Sequence, residues 1–313
     1  MRKLLLALFL MGGCAPQLGS SFRQLAYPME TRTLDVDGIE LAYSDRGHGP
    51  RTLLLIHGLG SYLPVWSRNV EALAREYRVV AIDLPGYGKS SKANYHYSMA
   101  FFARVVERVI ARLALEHVVL IGHSMGGQIA ITHSLMFPGR AEALVLVAPA
   151  GLEPFGPGEG GWLADVVSKE LVMLTPPDAI WSNVESNFYQ MPKAARFMAE
   201  DRVRIVGGPD FDDYAYAVSR SVTAMVTGPV FRRLGEVRAP VLITFGREDG
   251  LIPNPLLHGR STEEVARAGA ARFRDARLTL IPHAGHMVQF EKPDAWNACV
   301  LEFLHTLHEE NAP

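Results

Sequence analysis

His117-Val118-Val119-Leu120-Ile121-Gly122-His123-Ser124-Met125-Gly126-Gly127 reads as a strand that turns at once into a helix. Residues 118–121 are β-branched and aliphatic throughout, the composition of a buried strand. The run stops at Gly122, and a helical spacing through Gln128, Ile129, Ala130 and Leu135 begins after Ser124. Between the two, Gly122-x-Ser124-x-Gly126 matches the nucleophile-elbow pattern. Such a turn holds its central residue at a strained backbone angle with neighbouring chain very close. Glycine two before and two after removes the Cβ atoms that would collide. The Ser124 hydroxyl then stands clear, and the Met125 N–H points to where an oxyanion would form. A Gly-rich strand–helix turn with a capping serine fits the same five residues. The catalytic reading therefore needs a base, an acid and a second oxyanion donor from elsewhere.

Working outward, residues 52–56 form another apolar run, followed by His57-Gly58-Leu59-Gly60. Glycines there let backbone pass close to a ligand, which nominates the Leu59 N–H as the second donor; a simple Gly-rich turn is the alternative. A helix is expected over 66–77 and a strand over 77–82, ending in Asp83-Leu84-Pro85-Gly86-Tyr87-Gly88-Lys89-Ser90. Gly88-Lys89-Ser90 invites a phosphate-loop reading, but Asp83 stands where the first glycine is required, and Asp83 reads as a turn cap. Residues 33–36 and 39–43 flank Asp37-Gly38, a hairpin signal. Phe101, Phe102, Val105, Val109 and Leu113 share one face of a helix over 98–114, a core stripe. Further strands fall at 143–147, 241–245 and 278–281, and a helix closes the chain over 293–307. Strands alternating with helices predict a mostly parallel sheet covered on both faces. From 151 to 236 the rhythm breaks. Amphipathic pieces at 163–174, 179–189, 194–198 and 214–226 predict a helical insertion that can act as a lid. Its aromatics (Trp162, Trp181, Phe188, Tyr189, Phe211, Tyr214, Tyr216) are pocket candidates, most of them expected to pack the lid onto the body.

The 313 residues can bury a large core in one large or two ordinary domains. A net charge of -2 with no Lys/Arg stripe excludes an electrostatic case for nucleic acid. Two cysteines, Cys14 and Cys299, exclude a disulfide scaffold. Arg2 and Lys3, then an apolar run over 4–11, then Gly12-Gly13-Cys14, read as a secretory signal too short to span a bilayer. The stretch resembles a bacterial lipoprotein leader, with Met11 where that pattern usually has Leu. The resemblance implies cleavage after residue 13, a lipid on Cys14, a tether over 14–31 and a place in the cell envelope facing the periplasm. A plain cleaved signal, giving a secreted protein, and an uncleaved anchor are the alternatives.

A serine hydroxyl needs an imidazole to take its proton and a carboxylate to hold that imidazole. Asp249 and His286 each follow a strand's carboxyl end, as Ser124 does, and catalytic groups of parallel sheets gather at that edge. Glu248 beside Asp249, and His283 and His123 near the other two, are competing candidates. The order Ser…Asp…His, with His57-Gly58-Leu59-Gly60, the 83–90 turn, the elbow, Gly246-Arg247-Glu248-Asp249 and Gly285-His286, resembles the α/β-hydrolase superfamily over residues 33–307. The branch resembled is the single-lid esterase, lipase and carbon–carbon hydrolase one. The resemblance implies about eight strands with helices on both faces, a core over 32–150 and 237–313, and a cap over 151–236. It also implies Ser124 as nucleophile, His286 as base, Asp249 as orienting acid, Leu59 and Met125 as oxyanion donors, and no metal or cofactor. Serine at the elbow argues against the dehalogenases and epoxide hydrolases of this fold, which use Asp. Ester hydrolysis, on a small acyl ester or a lipid, is the default expectation. Carbon–carbon hydrolases usually carry Asn where His123 stands, and they remain an alternative beside proline-type aminopeptidases. A non-catalytic binder at the membrane surface is the alternative of another class. Oligomeric state has no signal in the sequence.

Overall fold

The computed structural model describes residues 18–309. The leader and Cys14 lie outside the described residues. Eight strands form one sheet: β1 Arg32–Val36, β2 Ile39–Arg46, β3 Thr52–Ile56, β4 Arg78–Ile82, β5 Val118–His123, β6 Ala143–Val147, β7 Val241–Gly246 and β8 Ala276–Ile281. Their order is β1-β2-β4-β3-β5-β6-β7-β8. β2 runs antiparallel to both β1 and β4, and every other pairing is parallel. The expected sheet is therefore the observed one.

The apolar runs explain it. Strands β3, β5, β6 and β7 are buried along their whole length. Alternate residues feed two cores: Leu54, Ile56, Leu120, Leu144 and Leu146 pack on one face, and Leu53, Leu55, Val119, Ile121, Val145 and Val147 on the other. Val36 pairs with Ile39 across Asp37 (φ 53°) and Gly38 (φ 84°), the paired positive angles of a tight hairpin turn.

The sheet order reverses at β3, which has β4 on one side and β5 on the other. Ile56 pairs with Gly122, so the loop after β3 and the elbow after β5 leave the sheet side by side. Ligands of open α/β sheets bind at such a point. Asp83 caps the adjoining turn as expected. Its oxygens accept the Leu63 N–H at 2.6 Å, the Lys89 N–H at 2.8 Å and the Tyr27 hydroxyl at 2.7 Å. A Cβ on Gly88 would sit 2.1 Å from that carboxylate, which accounts for the glycine without any phosphate.

Elsewhere the structure departs from the expectations. The helix expected over 66–77 is a 3-10 turn, Leu63–Trp66, and a single helical turn, Val70–Leu73. Asn69 Nδ2 donates to Gln289 O at 2.8 Å and Asn297 Oδ1 at 2.9 Å, so tertiary partners rather than helical periodicity set this stretch. A helix at Thr262–Ala270, opened by a Ser261–Glu264 capping box, adds a layer element that the apolar pattern did not reveal. Residues 19–27, expected within a tether, are docked. The Gly19 N–H donates to Val206 O at 2.9 Å, the Ser20 N–H to Arg204 O at 3.0 Å, and Phe22 and Leu25 are buried.

Between β6 and β7 run five helices: Glu159–Asp165, Lys169–Leu174, Pro177–Glu185, Arg196–Arg204 and Phe211–Thr227. The piece expected as one helix over 163–174 is two, because Ser168 caps the second by accepting the Leu171 N–H. The first two helices bury no residue, and Leu171, Met173 and Leu174 are exposed. Among the described residues no helix is long and apolar enough to cross a membrane.

Candidate active site

Ser124 has φ 53° and ψ −118°, a conformation that L-residues rarely hold. Backbone ties keep it there. Its N–H donates to Val147 O at 2.8 Å, and its carbonyl accepts the Gly127 N–H at 2.9 Å and the Ala150 N–H at 3.0 Å. A Cβ on Gly122 would lie 2.3 Å from Gly126 O, and one on Gly126 would lie 2.3 Å from Ile56 O. Both positions therefore exclude any side chain. Met125 opens the helix Met125–Met136, so its N–H has no intrahelical acceptor. The Leu59 N–H likewise donates to no described residue.

Asp249 and His286 meet at the same edge. Asp249 Oδ1 accepts the Leu251 N–H at 2.8 Å and the Ile252 N–H at 3.1 Å, which leaves Oδ2 for His286 Nδ1 at 2.8 Å. A carboxylate only accepts, so Nδ1 carries a proton, and Nε2 is the ring nitrogen that Asp249 does not engage. Both side chains are almost wholly buried. The Thr262 hydroxyl donates to the Asp249 carbonyl at 3.1 Å, which ties the extra helix to this loop.

Ser124 and His286 border the same two cavities, with Leu59, Asn187 and Arg202. One, of about 70 Å³, is walled by Phe22, Leu25, Tyr62, Met198, Ile205 and Tyr214 among others. The other is an open cleft of about 1460 Å³ under the helices Glu159–Asp165 and Phe211–Thr227. Ser124 Oγ forms no hydrogen bond with a described residue, an arrangement common in sites without substrate.

The competing side chains sit elsewhere. His283 is exposed, with φ 54°, its ring 5.8 Å from Tyr189. Glu248 accepts the Ala284 N–H at 3.2 Å. His123 Nε2 donates to the His286 carbonyl at 3.1 Å, and the two rings lie 4.8 Å apart. Burial, then the neighbouring His286, holds the His123 imidazole well below its usual pKa, so it is neutral. His57 is likewise held by hydrogen bonds: Nδ1 donates to Gly58 O at 2.8 Å and Nε2 accepts the Leu84 N–H at 3.0 Å. Burial lowers its pKa to about 4.

Periodicity gave no sign of several residues here. Arg202 and the Tyr214 hydroxyl both donate to the Gly60 carbonyl, gripping the loop that carries Leu59. Tyr62 donates to Asp201 at 2.6 Å. Glu291 accepts the N–H groups of Gly285, Tyr189 and Gln190, and the Met287 N–H donates to Asn187 O at 3.0 Å. A Cβ on Gly285 would lie 2.6 Å from Tyr189 N, so the helical segment is seated directly on the histidine loop. Of the insertion's aromatics, Phe188 and Tyr214 reach the smaller cavity, whereas Trp162 and Tyr189 are exposed. Among the described residues no cluster of His, Cys, Asp and Glu could hold a metal. Cys299 is partly buried beside Thr279.

A second histidine joins the helical segment to the Asp249 loop. His258 Nδ1 bonds Glu153 and Nε2 bonds Glu159 at 3.1 Å. Burial pulls its pKa down, but the hydrogen bonds and charges of Glu153 and Glu159 outweigh this and raise it overall. A pKa raised on folding stabilises fully below the unfolded value, and that contribution is lost as pH rises through the folded one. Amide exchange over 153–165 and 250–261 should therefore quicken as pH rises through neutrality, after correction for intrinsic rates. A His258→Gln variant should lack the step, and an equal step in that variant would refute the clasp.

A family model described as alpha/beta hydrolase fold matches residues 51–293. The chain belongs to the alpha/beta hydrolase family. It is 31% identical, over 86% of its length and 92% of the relative's, to a 2-hydroxy-6-oxononadienedioate/2-hydroxy-6-oxononatrienedioate hydrolase of Burkholderia vietnamiensis. It is also 31% identical to the dihydrolipoyllysine-residue acetyltransferase component of an acetoin cleaving system of Cupriavidus necator, over 86% of this chain and 68% of that protein. A solved bacterial membrane phospholipase A superposes with a TM-score of 0.72 at 27% identity, covering 91% of this alpha/beta hydrolase and 87% of that chain.

Proposed function

We propose that this hydrolase attacks a carbonyl carbon with Ser124, using His286 as base, Asp249 to orient it, and the Leu59 and Met125 N–H groups to receive the oxyanion. The observation that carries this is the buried His286–Asp249 hydrogen bond beside a cavity that Ser124 also borders. The Ser124 proton passes to His286 Nε2 as Oγ bonds the carbonyl carbon. The tetrahedral oxyanion collapses, the leaving group departs with the His286 proton, and water then releases the acyl group by the same route. Each oxyanion donor typically contributes about 3 kcal/mol. The helices between β6 and β7 serve as the lid that keeps bulk water from the acyl-enzyme.

The leaving group separates two readings. Ester hydrolysis was the expectation from sequence, but the Burkholderia relative's name supports the carbon–carbon alternative over nearly its whole length. Arg202 adds chemistry to that reading, since its guanidinium borders both cavities beside Ser124 and suits a substrate carboxylate. We therefore place hydrolysis of a carbon–carbon bond next to a keto group of an oxo acid first. Ester hydrolysis is second, favoured by the mostly apolar smaller cavity, by His123 in the place of Asn, and by the similarity to a phospholipase. The lipoprotein-like leader with Cys14 as anchor, also a proposal, favours this second reading because it would bring the enzyme to acyl lipids.

A panel of 2-hydroxy-6-oxo-dienedioate, p-nitrophenyl esters of graded chain length and a monoacylglycerol decides. The expected result is a higher kcat/KM on the dienedioate, followed by loss of its absorbance. Turnover of esters alone would reverse the order of the two readings, and turnover of nothing in the panel would refute both.

A further inference from the structure

One wall of the smaller cavity comes from a segment that the sheet and its crossovers do not need. Residues 18–27 lie N-terminal to β1, and Phe22 and Leu25 both line the cavity beside Ser124 and His286. The segment is built rather than draped. Ser21 and Gln24 form a reciprocal capping box around the 3-10 turn Phe22–Gln24. The Ser21 hydroxyl and the Phe22 N–H both donate to Asp210 Oδ2, at 3.1 and 3.2 Å. The Phe22 ring lies 5.0 Å from Tyr214, and the Lys92 ammonium sits 4.2 Å above it. With the Gly19 and Ser20 bonds to Val206 and Arg204, the Asp210 and Tyr214 contacts bind one end of the segment to the helical insertion, and Lys92 holds it from the body. The other end is bound to the body, where Tyr27 donates to Asp83 at 2.7 Å and packs edge-on against Tyr62 at 5.5 Å.

We propose that residues 18–27 form a selectivity strap: Phe22 and Leu25 set the depth of the cavity that receives an apolar chain attached to the carbonyl under attack. The proposal rests on Ser124 being the nucleophile and deepens the ester reading, whose acyl chain is apolar. Met198, Ile205 and Tyr214 line the same cavity from the insertion side and offer a hydrocarbon chain further apolar surface. Arg202, on the opposite chemistry, is held to the Gly60 carbonyl and to the junction with the larger cleft. The strap is thus an apolar end-stop, stitched to both the insertion and the body.

The test is covalent labelling of Ser124 with alkyl fluorophosphonates of short, medium and long chain. Oγ bonds phosphorus, fluoride leaves and the serine proton goes to His286, so the readout is independent of the natural leaving group. The quantity read is the ratio of long-chain to short-chain labelling rates. Leu25→Trp should lower that ratio about tenfold or more and Leu25→Ala should raise it, since one methylene in an apolar pocket discriminates by roughly that factor. Phe22→Leu should also raise it, and it serves where a Leu25 variant fails to fold. Folded variants with the wild-type ratio would overturn the strap. A wild-type protein that no probe labels would instead refute Ser124 as nucleophile, so the two failures are distinguishable.

Discussion

The Ser124→Ala protein is expected to lose at least about four orders of magnitude in kcat/KM on whichever substrate the wild type turns over. Its thermal midpoint should stay within a few degrees of wild type. The two halves of this expectation have separate physical grounds. The hydroxyl makes no hydrogen bond to a described residue, so its removal leaves no buried group without a partner. Alanine has the same Cβ at φ 53°, so the backbone strain is carried over unchanged. Oxyanion donors and cavity remain, which leaves the modest residual acceleration of a site without its nucleophile. Fluorophosphonate labelling should vanish in the variant. Turnover within tenfold of wild type, on a folded protein, would sink the assignment of Ser124.

Residues whose roles depend on neighbours close in sequence were readable before any coordinates. Gly122, Ser124 and Gly126 belong to one turn, and the backbone contacts that exclude a side chain at both glycines are a property of that turn. The buried strands were readable for a similar reason: runs such as 118–121 and 143–147 are apolar on both faces, and only a sheet covered twice buries them. Asp249 and His286 were legible as strand-end residues because a parallel sheet delivers its carboxyl ends to one edge. Residues that act across the molecule were not. Arg202 sits on a helix with little amphipathic signal, and its partner is a carbonyl 142 positions away. Phe22 and Leu25 lie in a stretch too short for a period to show, and Phe22 is seated by Tyr214 and Asp210, far away in sequence. The 66–77 stretch failed in the opposite direction. Its spacing is helical, yet Asn69 is taken by Gln289 and Asn297, and the chain bends to reach them.

Replacing Asp249 with asparagine should lower kcat/KM by about four orders of magnitude while leaving the loop in place. The geometry dictates how. Oδ1 of the native side chain accepts two backbone N–H groups, from Leu251 and Ile252, and an amide oxygen can continue to do so. The amide nitrogen must then take the position of Oδ2, facing His286 Nδ1. It can only donate, so Nδ1 has to become the acceptor, and the ring proton moves to Nε2. Nε2 then presents a hydrogen to the cavity instead of a lone pair, and the imidazole cannot take the Ser124 proton. His123 does not correct this, because it holds the carbonyl of residue 286 and leaves both ring nitrogens of that residue untouched. The neighbouring carboxylate gives the control. Among the described residues the Glu248 carboxylate accepts the Ala284 N–H alone, a bond that an amide oxygen can keep, so Glu248→Gln should cost less than about tenfold. Nitrogen-detected spectra of the His286 ring should show the proton on Nδ1 in the native protein and on Nε2 in Asp249→Asn. A large activity loss without that tautomer change would mean that Asp249 only braces its loop, and a loss confined to Glu248→Gln would transfer the acid to the adjacent residue.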